Sequence, residues 1–270
     1  MTYTIKKPSK VLAPYIKHYW MLETPVSSYP EYVQRIVPNG LFELTFYLGG
    51  KPVFVDHSKY TSFSLQFTGQ LKNYFDIKIS GSLSLFSVYF KPQGLSAFLD
   101  IPLKEIYNEV IPFHYLFRTG SERLEEALRH SASFTDRVDV TERFLIDQIR
   151  KRKNYYEFDR VNHCIEAINS KKGEVKIDQL ALDCCLSRKQ LERTFSDHIG
   201  VSPKQFIKIV RFQRTIYCRS IDQDVSLTEL AYKCGYYDQS HMINDFITLS
   251  GLTPKQYFEE CEPFSDYFYD

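Results

Sequence analysis

The chain has 270 residues, a formal net charge of +1 and 43% hydrophobic residues, which suits two globular domains that each bury a core. No apolar run is long enough to span a bilayer, because the longest candidate, 83–90, has only the length of a strand. The N-terminus lacks the apolar core of a signal peptide, so we expect a cytoplasmic protein. The composition therefore excludes a membrane-spanning protein.

Residues 1 to about 90 contain short alternating or apolar runs, the pattern of β-strands. A Val-Pro-Asn-Gly turn signal lies within the stretch 31–48, and Gly49-Gly50 predicts a hairpin between 44–47 and 53–55. Further strands are predicted at 65–68, 75–79 and 83–90. We expect an antiparallel sheet that is curled into a barrel or a sandwich.

From Pro92 onward the pattern becomes helical. Short helices are predicted over 94–99 and 103–110, Ser121 is expected to cap a third helix, and Asp136 or Asp139 to open a longer one that reaches Lys153. A basic run at 150–154 then marks a domain boundary, either as a solvated helix end or as a flexible linker. A helix over 157–169 begins the second domain.

The stretch 177–258 contains one motif twice. Its Leu-Ala pairs at 180–181 and 230–231 are 50 residues apart, whereas Pro203 and Pro254 are 51 residues apart. One residue has therefore been added to the second copy, in the turn between its two short helices. A repeat whose length changes only in a turn indicates a duplicated structural unit.

Each copy has the pattern of a helix, a short turn and a second helix. In the first copy, Ser187 and Gln190 form a capping box at the start of the second helix. In the second copy, Ser226 opens the first helix, Gly235 suits its left-handed end, and Asp238 suits the N-cap of the next helix.

Spacing predicts which side of each second helix is buried. Leu191 and Phe195 are four residues apart, as are Met242 and Phe246, so each pair shares an apolar face. The opposite, polar face consists of Arg188, Lys189, Glu192 and Arg193 in the first copy and of Gln239, Ser240, Ile243 and Asn244 in the second, with His241 and Asp245 at its edges. A helix with these two sides has the layout of a recognition helix in the major groove of DNA.

The repeat resembles the DNA-binding domain of the AraC/XylS family of transcriptional regulators. The resemblance is carried by both helix-turn-helix patterns and by the Gly-x-(Ser/Thr)-Pro-x-x-(Phe/Tyr) segments at 200–206 and 251–257, and it covers about 100 residues, 158–258. It implies two helix-turn-helix units joined by a long helix. The sequence predicts that helix at 203–220, with a length of about 27 Å.

The N-terminal part resembles a domain that is found on a subset of AraC-type regulators, whose ligands are mostly unknown. The similar segments are 8–20, with its Tyr and Trp residues, the turn at 37–40 and the Phe-Lys-Pro-Gln-Gly stretch at 90–94. A sensor or dimerisation domain is implied.

A connector of this length would hold the two recognition helices about one DNA turn apart, so that one chain reads two adjacent major-groove segments of an asymmetric site. The predicted base contacts are Lys189, Glu192, Arg193, Gln239, Ser240, His241 and Asn244. Arg193 suits guanine and Glu192 suits cytosine, while Gln and Asn suit adenine. Two alternatives stay open: Glu192 pairs with Arg188, and Ile243 packs instead of contacting a thymine methyl.

The second domain has almost as many acidic as basic residues, but its basic residues are clustered. Residues 154–258 contain 14 Lys and Arg against 13 Asp and Glu, and none of the cations falls within 234–254. Phosphate anchoring is therefore expected mainly in the first unit and the connector. The predicted phosphate contacts are Arg188, Lys204, Lys255 and Arg214, whereas Arg211 is expected to hold the connector in place.

The cysteines all lie in the C-terminal part, and they are Cys164, Cys184, Cys185, Cys218, Cys234 and Cys261. Cys184 and Cys234 occupy the same position in the repeat, and we expect reduced thiols in the core. A redox or metal sensor built on the vicinal Cys184-Cys185 pair is the alternative, although no C-x-x-C or His-Cys spacing supports it. No metal site and no cofactor are predicted.

An enzyme is not expected. The seven histidines, including His57 and His114, are scattered, and there is no H-x-x-x-H, G-x-S-x-G or P-loop pattern. No catalytic residues are therefore proposed.

The predicted fold is α+β in three parts: a mostly antiparallel β barrel or sandwich with following helices at 1–153, an all-α domain with two helix-turn-helix units joined by a long helix at 154–262, and an acidic tail at 263–270. The expected function is a sequence-specific transcriptional regulator. Its expected partner is double-stranded promoter DNA, with RNA polymerase, a small-molecule effector and a second copy of the chain as further candidates. The alternative is a DNA-binding architectural or scaffolding protein without an effector.

Overall fold

The computed structural model describes residues 2–24, 31–55, 61–151, 156–261 and 265–268. It confirms the α+β architecture, with antiparallel sheets and a few helices first and an all-helical part after them. The two sheets pack as an open sandwich and do not close into a barrel. The predicted boundary at 153–154, the residue His57 and half of the tail 263–270 lie outside the described residues.

The β-strands of the described residues are β1 (Thr2–Lys6), β2 (Ile16–Glu23), β3 (Glu31–Ile36), β4 (Phe42–Tyr47), β5 (Val53–Phe54), β6 (Leu65–Thr68), β7 (Phe75–Ser80), β8 (Ser84–Phe90) and β9 (Val110–Pro112). One sheet has the strand order β1-β2-β8-β4-β6-β9, and the other has the order β3-β7-β5. The predicted strands at 65–68, 75–79 and 83–90 are all present, because each is a short apolar or alternating run that one buried sheet face can accept.

The predicted hairpin at Gly49-Gly50 is wrong. Strand β4 pairs with β6 and β8, whereas β5 pairs with β7 in the other sheet. The physical reason is that β4 is apolar along most of its length and is buried at the centre of the six-stranded sheet, where it needs a partner on each side. The two glycines therefore carry the chain from one sheet to the other.

The helices that follow the strands are two short 3-10 helices (Gly94–Ala97 and Leu103–Ile106), α1 (Phe113–Leu116), α2 (Ser121–His130) and α3 (Phe134–Arg150). The predicted helix over 103–110 ends at Ile106, because residues from Val110 onward pair with β6. Ser121 is the first helical residue of α2 and not its cap, which is Gly120. Asp136 is the third residue of α3 and closes a capping box with the N-cap Ser133.

The second part of the chain contains α4 (Tyr156–Ser170), α5 (Ile177–Asp183), α6 (Arg188–His198), α7 (Pro203–Ile221), α8 (Leu227–Lys233), α9 (Gln239–Ser250) and α10 (Pro254–Glu260). The long helix α7 has 19 residues and joins two similar groups of helices, as predicted. No helix among the described residues is both long and apolar enough to cross a membrane.

Three apolar cores correspond to this division of the chain. The first lies between the six-stranded sheet and the helices α2 and α3. The second is centred on α4, α5 and α6, and the third on the second half of α7 with α8, α9 and α10. The helix α7 contributes side chains to both of the latter cores, which makes it the shared wall of the two helical groups.

The C-terminal segment 265–268 packs into the seam between the two parts of the chain. The Ser265 hydroxyl donates to Oε1 of Gln213 at 2.7 Å, and Nε2 of Gln213 donates to the carbonyl of Pro38 at 2.9 Å. The half-buried Asp266 carboxylate accepts hydrogen bonds from Asn39 and Tyr89. This segment of the predicted acidic tail is therefore docked on the N-terminal domain and on α7.

A second carboxyl group lies half-buried in the N-terminal sheet. Glu43 on β4 accepts a hydrogen bond from the hydroxyl of Ser87 on β8. Burial raises the pKa of the Glu43 carboxyl from its ordinary value of 4.5 to about 7, and the neighbouring Asp266 raises it further, whereas the Ser87 hydrogen bond opposes the shift. The folded chain therefore favours the protonated form of Glu43.

This raised pKa predicts a pH-dependent stability. Because the folded pKa of Glu43 lies above the unfolded one, its contribution is fully present below the unfolded pKa and is lost as the pH rises through the folded value of about 7. We expect the melting temperature of wild type relative to Glu43→Gln to fall between pH 4.5 and about pH 7 and to level off above that range. Thermal unfolding followed by circular dichroism measures this difference.

The exposed variant Glu126→Gln serves as a control and should follow the wild-type profile at every pH. A constant difference between wild type and Glu43→Gln over this range would contradict the prediction.

Candidate nucleic-acid interface

Both helix-turn-helix units form as the repeat predicts. In the first, Ser187 caps α6 and closes a capping box with Gln190. In the second, Ser226 caps α8 and Asp238 caps α9, where the Asp238 carboxylate accepts the backbone N–H of His241 at 2.7 Å. Gly235 ends α8 with a φ of 78°, in the left-handed region that its position requires.

The first recognition helix, α6, buries Leu191 and Phe195 and exposes most of its predicted polar face. Lys189 and Arg193 are exposed, and Glu192 is half-buried beside them. The Arg188 guanidinium lies 3.4 Å from the carboxylate of Asp178 on α5, so its ion-pair partner in the structure is not Glu192.

The second recognition helix, α9, buries Met242 and Phe246. Of the predicted base-contacting residues, Ser240 and Asn244 are exposed. Gln239 is half-buried, and its side-chain oxygen accepts a hydrogen bond from Thr228 on α8 at 2.9 Å. That bond orients the Gln239 amide at the start of α9.

The two residues predicted at the edges of this face both contact Arg211 on α7. Asp245 is buried, because it follows Met242 by three residues and so lies on the packed side of α9, next to Leu249. His241 is half-buried, and its ring packs edge-on against Tyr236, with Nε2 3.3 Å from the Arg211 guanidinium. The apolar pattern of α9 did not indicate where His241 and Asp245 lie, because their shared partner Arg211 is on α7.

Asp245 is the centre of a buried ion cluster. Its carboxylate oxygens lie 3.1 Å from Nζ of Lys208 and 3.3 Å from Nη2 of Arg211, and its side chain is 8% exposed. The Arg211 guanidinium also lies over the ring of Tyr236, 5.1 Å from its centroid. Arg211 thus holds α9 and the α8–α9 turn against α7, in agreement with the structural role expected for it.

The predicted phosphate contacts have different environments. Lys204 and Lys255 are exposed in the first turns of α7 and α10, just after the N-cap residues Ser202 and Thr253. Arg214 is half-buried on α7, and its Nε is enclosed with no hydrogen-bond partner among the described residues. Backbone N–H groups at a helix start favour a phosphate, so Lys204 and Lys255 have the more suitable positions.

The N-terminal domain touches both recognition helices at equivalent points of the repeat. Gly200 follows α6, and a Cβ atom there would lie 3.0 Å from the carbonyl oxygen of Leu103. Gly251 follows α9, and a Cβ atom there would lie 2.4 Å from the ring of Tyr74. Both glycines have a positive φ, which ends the helix, and because they lack a Cβ atom the N-terminal domain can approach them closely.

Polar bonds reinforce the two contacts. Nζ of Lys104 lies 2.9 Å from the carboxylate of Asp197 on α6. Arg35, which is paired with Asp76, also donates to the carbonyl of Ser250 at 3.1 Å. Lys104 and Arg193 both line an open groove of about 640 Å³ beside α6.

Sequence reasoning missed one exposed residue at this surface. Tyr237 lies in the turn before α9 and is 85% exposed. The second unit is one residue longer than the first, and Tyr237 is the extra residue, since Tyr236 corresponds to Leu186 and Asp238 corresponds to Ser187. Aligning the two copies residue by residue would have identified it as an insertion at the start of the recognition helix.

The arrangement defines a tandem helix-turn-helix domain with two recognition helices on one connector. Comparison with known families supports this class: residues 180–260 match a family described as a helix-turn-helix domain, and residues 5–112 match a domain of unknown function, DUF6597.

Related proteins with curated names point in the same direction. An uncharacterised HTH-type transcriptional regulator of Haemophilus influenzae is 29% identical over 146 residues, which are 50% of this chain and 49% of that protein. The HTH-type transcriptional regulator MtrA of Neisseria gonorrhoeae is 29% identical over 102 residues, 37% of this chain and 34% of that protein. The matches thus span half or less of these relatives.

A solved structure of ToxT from Vibrio cholerae has the same overall fold, with a TM-score of 0.50 and 10% identity over 96% of this chain and 98% of that chain. Together, these findings show that the C-terminal part of this chain contains a helix-turn-helix domain and is similar to the DNA-binding regions of AraC-type transcriptional regulators.

The buried ion cluster leads to a stability prediction. Asp245→Asn removes the negative charge and leaves Lys208 and Arg211 close together without it, which should lower the free energy of unfolding by about 3 kcal/mol. Urea unfolding followed by circular dichroism measures the loss.

Asp178→Asn is the matched control, because it breaks the exposed pair with Arg188, whose side chains are 77% and 65% exposed. That change should cost no more than about 0.5 kcal/mol. Equal losses for the two variants would show that the Asp245 cluster does not hold α9 in place.

Proposed function

We propose that this protein is a sequence-specific DNA-binding transcriptional regulator that reads two adjacent major-groove segments. The observation that carries the proposal is the pair of capped helices, α6 and α9, each with a buried side and a polar outer side, fixed to one connector. The 19 residues of α7 span about 28 Å, close to the length of one turn of DNA. This geometry supports an asymmetric binding site.

The outer faces of the two helices support different roles in binding. On α6, the exposed Lys189 and Arg193 combine charge with hydrogen-bond donors, so this helix supplies both affinity and base contacts. On α9, the outer face is uncharged and offers Ser240 and Asn244, with Gln239 beside them. We therefore propose that the second unit contacts bases and contributes little to phosphate binding.

The remaining assignments follow the accessibility of each side chain. His241 is proposed as a base contact because its side chain is 39% exposed, and Glu192 because it lies beside Arg193. Lys204, Lys255 and Arg188 are proposed to contact phosphates. Arg214 is the weakest member of that set, because part of its guanidinium is enclosed.

A selection experiment tests the two-part site. The full-length chain, incubated with random duplexes at fixed salt, should enrich an asymmetric motif with two parts about 10 base pairs apart. Arg193→Ala should blur one part of the motif and Asn244→Ala the other, each at a cost of about 1–3 kcal/mol on the best sequence. Sequencing of the bound pool gives both results.

Lys255→Ala is the control, because loss of a phosphate contact should weaken all sequences alike and leave the motif intact. If Asn244→Ala leaves both parts unchanged, then α9 does not read DNA. If the wild-type chain enriches nothing, the proposal of sequence-specific binding fails.

We further propose that the N-terminal domain regulates binding by setting the relative positions of the two recognition helices. The support is its contact with both helix ends, at Gly200 and Gly251, and with the connector at Gln213. A small-molecule effector or a second copy of the chain would act by changing these contacts, and RNA polymerase is the expected downstream partner. A cytoplasmic location belongs to the same proposal, because promoter DNA is there.

The alternative, an architectural DNA-binding protein without an effector, would use the same contacts as a permanent support. It shares the expected DNA site, so only the dependence of regulation on a ligand or on dimerisation separates the two functions.

The contact with α9 makes a testable prediction about half-site spacing. Arg35→Gln removes the hydrogen bond to the Ser250 carbonyl and the ion pair with Asp76. Because α9 is then held less firmly, the variant should tolerate insertions or deletions of one base pair between the two parts of the motif. Binding to a set of duplexes that differ only in this spacing measures the change.

Arg129→Gln is the control, since it breaks an exposed pair with Glu125 on α2, away from the recognition helices. It should keep the narrow spacing preference of wild type. An equally narrow preference in Arg35→Gln would mean that the N-terminal domain does not set the position of α9.

A further inference from the structure

The segment 265–268 lies in a site that both parts of the chain build. It forms a turn, in which the backbone N–H of Phe268 donates to the carbonyl of Ser265 at 3.2 Å. Ser265 and Tyr267 are buried, and Asp266 and Phe268 are half-buried. A short segment without helix or strand normally lies on the surface of a protein, so this burial indicates a specific binding site for the segment.

The N-terminal domain supplies one wall of the site. Nζ of Lys17 on β2 donates to the backbone carbonyl of Tyr267 at 2.7 Å. Nδ2 of Asn39 donates to the Asp266 carboxylate at 3.2 Å, and the hydroxyl of Tyr89 on β8 donates to the same oxygen at 3.1 Å. This wall therefore recognises one side chain and one backbone carbonyl of the segment.

The turn before β4 makes room for an aromatic ring. A Cβ atom added to Gly40 would lie 3.2 Å from the ring of Tyr267 and 3.4 Å from Ile209 on α7. Since glycine has no Cβ atom, the ring fits between this turn and the connector. The turn signal at 37–40 in the sequence thus shapes part of the site.

The helical part of the chain supplies the opposite wall. The hydroxyl of Tyr267 donates to Oδ1 of Asn169, at the end of α4, at 2.9 Å. The ring of Tyr267 lies edge-on against that of Phe206 on α7, with the centroids 6.2 Å apart. The hydroxyl of Ser265 donates to Gln213 on the same helix. Tyr267 is therefore part of the apolar core around α4, α5 and α6.

The two helix-turn-helix units are attached to the N-terminal domain by different contacts. The segment 265–268 joins that domain to α4 and α7, which pack in the core of the first unit. The second unit is held through α9, where Arg35 donates to the carbonyl of Ser250. Loss of the segment should therefore affect the attachment of the first unit more than that of the second.

We propose that Ser265-Asp266-Tyr267-Phe268 is an intramolecular clasp, a peptide ligand of the seam between the two domains that fixes the N-terminal domain to the first helix-turn-helix unit. Each wall of the site binds different groups of the same four residues, so the clasp is fully bound only when both walls are in place. Release of the clasp removes bonds from Asn39 and from Gln213 together, and the two walls can then move apart.

Burial of a carboxylate makes the clasp releasable. Burial raises the pKa of the Asp266 carboxyl above its ordinary value of 3.8, although the hydrogen bonds from Asn39 and Tyr89 and the charge of Lys17 oppose the shift. The ionised carboxylate is therefore less stable in the site than in water. Docking carries this cost, which offsets part of the free energy of the other contacts.

Hydrogen–deuterium exchange of the full-length chain, followed by mass spectrometry without DNA, tests the clasp. The double variant Asp266→Ala/Tyr267→Ala removes its two anchoring side chains. Exchange should become several-fold faster in the turn 37–41, where the Leu41 N–H donates to the side chain of Asn39, and in the last turn of α4. Exchange over α2 and α9 should stay at the wild-type rate. Because no DNA is present, the result does not depend on the proposed function.

Two further variants separate the clasp from a general loss of stability. Tyr267→Phe keeps the ring and removes only the bond to Asn169, so it should speed exchange at the end of α4 and nowhere else. Arg35→Gln, which breaks the separate contact with Ser250, should leave the end of α4 unchanged.

Wild-type exchange in the double variant at both the turn 37–41 and the end of α4 would overturn the proposal. So would an equal acceleration over α2, because that result would indicate a general loss of stability. If the double variant does not fold, Tyr267→Phe decides the question, and an unchanged rate at the end of α4 then overturns the proposal.

Discussion

The arrangement of the recognition helices depends on how the polar groups of the connector α7 are satisfied. Gln213 is buried in the middle of this helix, donates to the carbonyl of Pro38 and accepts from the hydroxyl of Ser265. Arg211, half a turn away, is paired with Asp245 on α9. A buried polar group without a partner costs free energy, so these bonds fix where the N-terminal domain, the C-terminal segment and α9 lie on α7.

This constraint connects the fold with the proposed function. Two recognition helices read one DNA site only if their separation is fixed, and a single continuous helix provides a rigid spacer. The N-terminal domain adds a second support by touching Gly200 and Gly251, the residues that follow α6 and α9. A signal that changes the N-terminal domain can therefore reach both DNA-reading surfaces through two short contacts, without a change in either recognition helix.

A feature is predicted correctly from the sequence when the residues that interact to form it are close together in the chain. The caps at Ser187, Ser226 and Asp238 and the long connector were predicted, because they depend on residues three or four positions apart. The hairpin at Gly49-Gly50 was wrong, because strand pairing depends on distant partners such as β8. The positions of Asp245 and Tyr237 were missed for related reasons: one needs α7, and the other needs a residue-by-residue comparison of the copies.

The repeated pattern of caps and apolar spacing is enough to establish two similar helix-turn-helix units, since it specifies each helix and its buried side locally. Which side chains meet across elements depends on the packing of the whole chain. That packing places Asp266 against Asn39 and Tyr89, and it brings Cys164 next to Cys184. These contacts join segments far apart in the chain, and they form because burial brings polar and reactive groups together where no local pattern records the neighbour.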